Sequence, residues 1–149
     1  MKGVFLAILL VAIAGKSLAA ETPTQFIERY VSYFNSEDSA RYQTTFKFPV
    51  ISSKGGVLQI FTDPDVPMAN FDNIKKTGWV TSRIDSIKVL SESSVAALVE
   101  FSFSRMDSTR SPFLQSTGHY GLVSTDDGWK IQSWFFVKPI TVGNDTSVR

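Results

Sequence analysis

Apolar positions recur along this chain with changing periods, and each period predicts a different element. In "ETPTQFIERYVSYFN", Phe26, Ile27, Tyr30, Val31 and Phe34 fall on one helical stripe, while Glu28, Arg29 and Ser32 face away. Thr22 is a natural N-cap, Pro23 suits the first helical position, and Gln25 completes a capping-box spacing. Asn35 marks the end. A second short helix, capped by Ser36 or Asp38, is predicted through "SARYQTTF", stopping before Pro49 because the residue ahead of a proline avoids helical geometry. "FKFPVI" and "GVLQIF" then read as two short strands, with Pro49 demoting the first to a sheet edge. "TDPDVP" is a turn region. It leads into a weakly striped helical segment, "MANFDNIKKTG", with Met68, Phe71 and Ile74 spaced three apart and Gly78 as its stop.

From Trp79 the pattern lengthens into strands: "WVTSRIDSIKVL", "SVAALVEFSFSRM", "PFLQSTGHYGLVS" and "WKIQSWFFV". Their separators, "SESS", "DSTRS" and "TDDG", are short and turn-rich, which predicts an antiparallel meander. Helices first and a long sheet afterwards predict an α+β domain with helices on one sheet face.

The first residues carry a different signal. Lys2 precedes the apolar run "VFLAILLVAIAG", and "SLA" supplies small residues before Ala20. This predicts a secretory signal peptide over residues 1–19, cleaved before Ala20 or Glu21 and too short for a comfortable membrane span. No cysteine follows, so a lipoprotein is excluded, and periplasmic or secreted localisation is expected. The mature chain of roughly 130 residues suits one domain, here 22–138, with 139–149 as an irregular tail.

Removing Lys2 and Lys16 leaves 13 basic against 14 acidic residues, a net charge of −1. Such a chain gives no electrostatic case for nucleic acid, or for a membrane partner once the signal peptide is gone. With no cysteine, an oxidising compartment contributes no disulfide. Phe, Tyr and Trp make up 13% of the chain, so an aromatic core is expected.

A helix ending at Asn35, Asp38 opening the next, the "FKFPVI" strand, the "GW…S" step at Gly78, Trp79 and Ser82, "FSFSR" at Phe101 to Arg105, and the "DDGWKI" hairpin resemble, taken in order, the NTF2-like superfamily. Within it they are most similar to SnoaL-like and DUF4440-like small domains. The resemblance implies an NTF2-like cone: N-terminal helices packed on a strongly curved, mostly antiparallel sheet whose mouth can hold a small molecule. It also implies that homodimers are common. Asp38 matches the helix-opening aspartate of the family, read as a cap, and Trp129 and Ile131 match its last-strand "W-x-I". The isomerase pair of acids and the dehydratase histidine–aspartate pair have no clear counterpart here.

His119 is the chain's only histidine. Two hairpin registers are open, one turning at Asp127-Gly128 and one over Thr125 to Gly128. Both place Tyr120 and Leu122 with Trp129, Ile131, Ser133 and Phe135 on one face, taken as the inner one. Both place His119, Gly121 and Val123 with Lys130, Gln132, Trp134 and Phe136 on the other. A bulge near Ser133 would reverse every residue beyond it. The outer set makes His119, Val123, Trp134 and Phe136 candidates for a homodimer interface, because an apolar cluster should not stay bare.

One histidine and no cysteine give no metal site, and no cofactor loop is present: "SSKGG" lacks the phosphate-loop spacing. No catalytic residue is assigned. The candidate pocket-lining residues are Tyr33, Tyr42, Trp79, Arg83, Asp85, Arg105, Tyr120 and Ser133. Among these, Arg83 and Asp85 alternate with Trp79 and Thr81, and Arg105 extends the Phe101, Phe103 face and could bind an anion. Three functions stay open. The first is an exported binder of a small apolar or weakly acidic ligand. The second is a cofactor-independent isomerase, dehydratase or cyclase-like enzyme, and the third is a dimerisation or assembly domain without chemistry.

Overall fold

The computed structural model describes residues 20–138; the expected signal peptide and tail lie outside the described residues. Helix α1 (Pro23–Asn35) begins with the anticipated capping box: the Gln25 backbone N–H donates to Thr22 Oγ1 at 3.2 Å, and the Thr22 N–H donates to Gln25 Oε1 at 2.9 Å. Two otherwise orphaned donors are satisfied reciprocally. Its buried residues are Pro23 and the predicted stripe Phe26, Ile27, Tyr30, Val31 and Phe34. Helix α2 (Ser39–Thr44) uses Asp38, not Ser36, as its cap: Asp38 accepts from the Arg41 N–H at 2.9 Å. It ends well before Pro49, because strand β1 begins at Phe46. Helix α3 (Phe71–Lys75) is capped by Asn70 and buries Phe71 and Ile74.

Six strands follow the pattern of the sequence: β1 (Phe46–Lys54), β2 (Val57–Phe61), β3 (Thr81–Glu92), β4 (Ala96–Met106), β5 (Pro112–Thr125) and β6 (Gly128–Phe136). Their spatial order is β2-β1-β6-β5-β4-β3. Strands β3 to β6 form the predicted antiparallel meander, but β1 joins β6 in parallel. The sheet is therefore mixed.

Two expectations need correction. The sheet is not the strongly curved wall of a cone: it is open, ends in the unpaired edges β2 and β3, and is not strongly curled. Aromatic side chains on the helix-facing side fill the space that a closing sheet would enclose. Nor is β1 an edge, since it lies between β2 and β6. Pro49 is tolerated there because it falls in a break. The β1–β6 pairing jumps from Phe46–Ile131 to Ile51–Ser133, and the β1–β2 ladder starts only at Val50–Phe61. Proline lacks a backbone N–H, and in this gap the ladders do not require one.

The last hairpin closes with Thr125 opposite Gly128, around Asp126 and Asp127, so that Ser124 meets Trp129 and Leu122 meets Ile131. The register then shifts: Gly121 lies opposite Ser133, Tyr120 opposite Trp134 and His119 opposite Phe135. Gln132 is the extra residue of a β-bulge, and everything beyond it changes face. The inward placement of Trp129 and Ile131 holds, while the expected facing of Ser133 to Phe136 reverses. Trp134 and Phe136 are buried in the core, and Phe135 is 56% exposed.

Among the described residues, no helix is long and apolar enough to cross a membrane.

Candidate functional site

Between α1 and the inner sheet face lies a small cavity of about 40 Å³. Helix α1 turns Tyr30 and Val31, and Phe34 one turn on, toward it, and α2 contributes Tyr42. From the sheet come Phe101, Phe103 and Arg105 on alternate positions of β4, Tyr120 on β5, and Trp134 and Phe136 on β6. Ser82 closes one side. The end of α1 is held there because Asn35 both donates to the Ser82 carbonyl and accepts from its N–H, each at 2.8 Å.

The rings interlock, some stacked and some edge to face. Tyr30 stacks on Tyr42 at 5.1 Å between centroids and meets Tyr120 at 6.0 Å; Tyr120 in turn meets Phe136 at 5.8 Å. The Tyr30 and Tyr42 hydroxyls share a buried hydrogen bond of 2.8 Å. Into this aromatic wall projects Arg105, 2% exposed, with its guanidinium 5.8 Å from the Phe34 ring centre. Burial pushes the pKa of all three tyrosines upward, so their hydroxyls keep their protons at neutral pH. Burial also lowers the Arg105 pKa, yet an arginine remains charged under ordinary conditions.

Three of the eight residues expected to line a pocket meet here: Tyr42, Arg105 and Tyr120. Trp79 is buried just behind, packed on Phe34 at 5.2 Å and donating from Nε1 to Ser82 Oγ at 3.0 Å. Tyr33 sits on the outer side of α1 near the Arg29 and Arg41 guanidiniums. Ser133 lies on the far sheet face beside Gly121, turned there by the bulge. Arg83 and Asp85 are also on that face. A register shift between Ile84 and Ser86 sets Asp85 out of the ladder.

There Ser104 Oγ donates to Asp85 Oδ2 at 2.5 Å, and Arg83 Nε donates to Oδ1 at 2.9 Å. The serine hydroxyl, then the guanidinium, hold the Asp85 carboxyl below the usual carboxylate range. Because the folded pKa is depressed, its stabilisation is present above about pH 4 and is lost as the pH falls through the folded value. Asp85→Asn should therefore cost under about 1 kcal/mol at pH 7, given the exposure of the pair. The difference from wild type should shrink as the pH falls below about 4, as urea unfolding at a series of pH values would show.

Of the expected interface residues, His119 and Val123 do face outward, His119 with Nε2 3.3 Å from Glu100 Oε2. Trp134 and Phe136 do not; the Gln132 bulge turns both into the cavity wall. The outer face instead bears exposed Ile51, Leu58, Ile60, Leu98 and Phe135. Two wider, more open grooves, of about 490 and 540 Å³, cross it; Glu92 lines the first, and Asp85, His119 and Lys138 line the second. The signal for Trp134 and Phe136 was present in the sequence only as the possibility of a bulge. That for Phe101 and Phe103 was their alternation with Arg105.

A family model described as NTF2-like protein (DUF6841) matches residues 20–139. The chain belongs to this family of NTF2-like proteins. Solved structures agree in fold. An NTF2-like protein with a cystatin-like fold from Novosphingobium aromaticivorans is 14% identical, with a TM-score of 0.60 over 83% of this chain and 80% of that one. Aln2 from a Streptomyces species is 13% identical, with a TM-score of 0.58 over 78% and 92%. An NTF-2 like protein of unknown function from Shewanella oneidensis is 17% identical, with a TM-score of 0.53 over 76% and 93%. At such identities the likeness is one of fold alone. No curated protein matches the chain.

Among the described residues, those lining the cavity include no aspartate, glutamate or histidine. The described carboxylates and His119 form no group of three able to hold a metal ion.

Proposed function

We propose that this NTF2-like domain is an exported small-molecule binder whose ligand occupies the aromatic cavity at Arg105. One observation carries the reading: a buried guanidinium faces a cavity walled by aromatic rings and three tyrosine hydroxyls. An apolar pocket with a few convergent polar groups is the usual form of a small-molecule site. The cofactor-independent enzyme is the weaker reading, because general acid–base work needs a carboxylate or imidazole within reach of substrate. Asp85 and His119 both lie on the opposite sheet face.

The exposed outer residues Ile51, Leu58, Ile60 and Phe135 favour a second property, self-association through that face. Native mass spectrometry on protein taken from its own host tests both. Expected results are a mature chain beginning at Ala20 or Glu21, a bound small molecule and a dimer that Phe135→Ser dissociates. Ligand-free protein that also takes up nothing from a panel of small acids, amides and alcohols would overturn the binding reading.

A further inference from the structure

Resting on that binding reading, the geometry points to the ligand's class: we propose that the cavity seats the carboxylate of a small organic acid, with Arg105 as its counter-charge. The groups that reach the cavity divide unevenly between donors and acceptors. The Arg105 guanidinium only donates. Tyr30, Tyr42 and Tyr120 carry protonated hydroxyls; the bonds of Tyr30 to Tyr42 and to Tyr120 use two of the three protons and leave one to donate. The Trp134 indole N–H also only donates, and it is buried without a hydrogen-bond partner among the described residues. No acceptor-only side chain among the described residues lines the cavity. Such a wall complements an acceptor-rich anion and repels a cation.

Charge alone would admit any anion; the space and the rings narrow the choice. A cavity of about 40 Å³ holds roughly three water-sized groups and is well below the ~150 Å³ that accepts benzene. That suits a carboxylate on a short stem. Phe34, Phe101, Phe103 and Phe136 offer the stem carbon contacts, where a fully hydrated inorganic ion would gain nothing. The planar guanidinium fork matches two carboxylate oxygens.

The test is calorimetric titration of the purified protein with acetate and propionate, against acetamide and propionamide as neutral isosteres and chloride and nitrate as inorganic anions. The expected result is that the acids bind at least tenfold more tightly than their amides and than either inorganic ion. Tyr120→Phe should keep the fold and weaken acid binding severalfold. Arg105→Gln, where circular dichroism shows it folded, should abolish the preference for acid over amide. Equal binding of acids and amides would overturn the carboxylate assignment and leave the binding reading standing. Equal binding of nitrate and acetate would overturn it in favour of an inorganic anion. No binding by any probe, nor by longer acids and alcohols, would remove the binding reading itself.

Discussion

Inserting one alanine between Ser133 and Trp134 is expected to unfold the protein, or nearly so. Gln132 is the single extra position between the Leu122–Ile131 and Gly121–Ser133 pairs, and it lies opposite the break in β1 that contains Pro49. In a ladder that keeps the Gly121–Ser133 pair, a second extra residue would carry Trp134 and Phe136 to the outer face. They are 4% and 1% exposed, and burying each large side chain is worth about 1.5–3 kcal/mol. A loss of about 3–6 kcal/mol is a large part of the ~5–15 kcal/mol that holds a domain of this size together. Phe135 would move inward but cannot fill two sites. Deleting Gln132 instead makes the Leu122–Ile131 and Gly121–Ser133 pairs consecutive and leaves Trp134 and Phe136 inward, so it should cost much less. Urea denaturation of the insertion and the deletion side by side separates a change of facing from the loss of the bulge itself.

Valine at Gly118 should be the most damaging single substitution, at about 3 kcal/mol. A Cβ built on Gly118 meets Phe136 Cε1 at 2.5 Å, Cζ at 2.7 Å and Cδ1 at 2.9 Å. That ring is fixed between Phe103 and Tyr120 by near-perpendicular contacts, so it cannot swing aside. Overpacking of this kind typically costs about 1–3 kcal/mol, and the two extra methyls place valine at the upper end. Gly121 gives the internal control. A Cβ there meets only the Ser133 hydroxyl, a rotor on the half-exposed outer face. Gly121→Ala should cost under about 1 kcal/mol. Adding Phe136→Leu to Gly118→Val should recover part of the loss, a result that a purely backbone effect of Gly118 would not give. Denaturation midpoints of these variants check each step.

These two sites also show how far the sequence could be read. The α1 stripe was legible because helical period and burial coincide at Phe26, Ile27, Tyr30, Val31 and Phe34. The four long strands were legible from their turn-rich junctions. Strand parity placed Trp129 and Ile131 correctly and then failed, because a bulge shifts parity by one without a residue type that announces it. Gln132 looks like any polar strand position. The parallel β1–β6 pairing was hidden for another reason: β1 and β6 are far apart in sequence, and short-range turn signals report only on neighbours. Arg83 and Asp85 were set on the wrong face because the register shift near Asp85 breaks their alternation with the inner row. Arg105 could be found because it continues the Phe101, Phe103 alternation on an unbroken stretch of β4.

At the centre of all this, β6 turns Trp134 into the buried aromatic wall while Phe135 remains outside. Replacing Trp79 and Trp129 by phenylalanine leaves Trp134 as the sole indole, and acrylamide quenching of its emission reports directly on its surroundings. The account predicts blue-shifted emission with weak quenching that becomes strong on unfolding. Emission near that of free tryptophan, readily quenched in a variant whose circular dichroism and cooperative unfolding show it folded, would place Trp134 in water and contradict the bulge, the cavity and the site built on them.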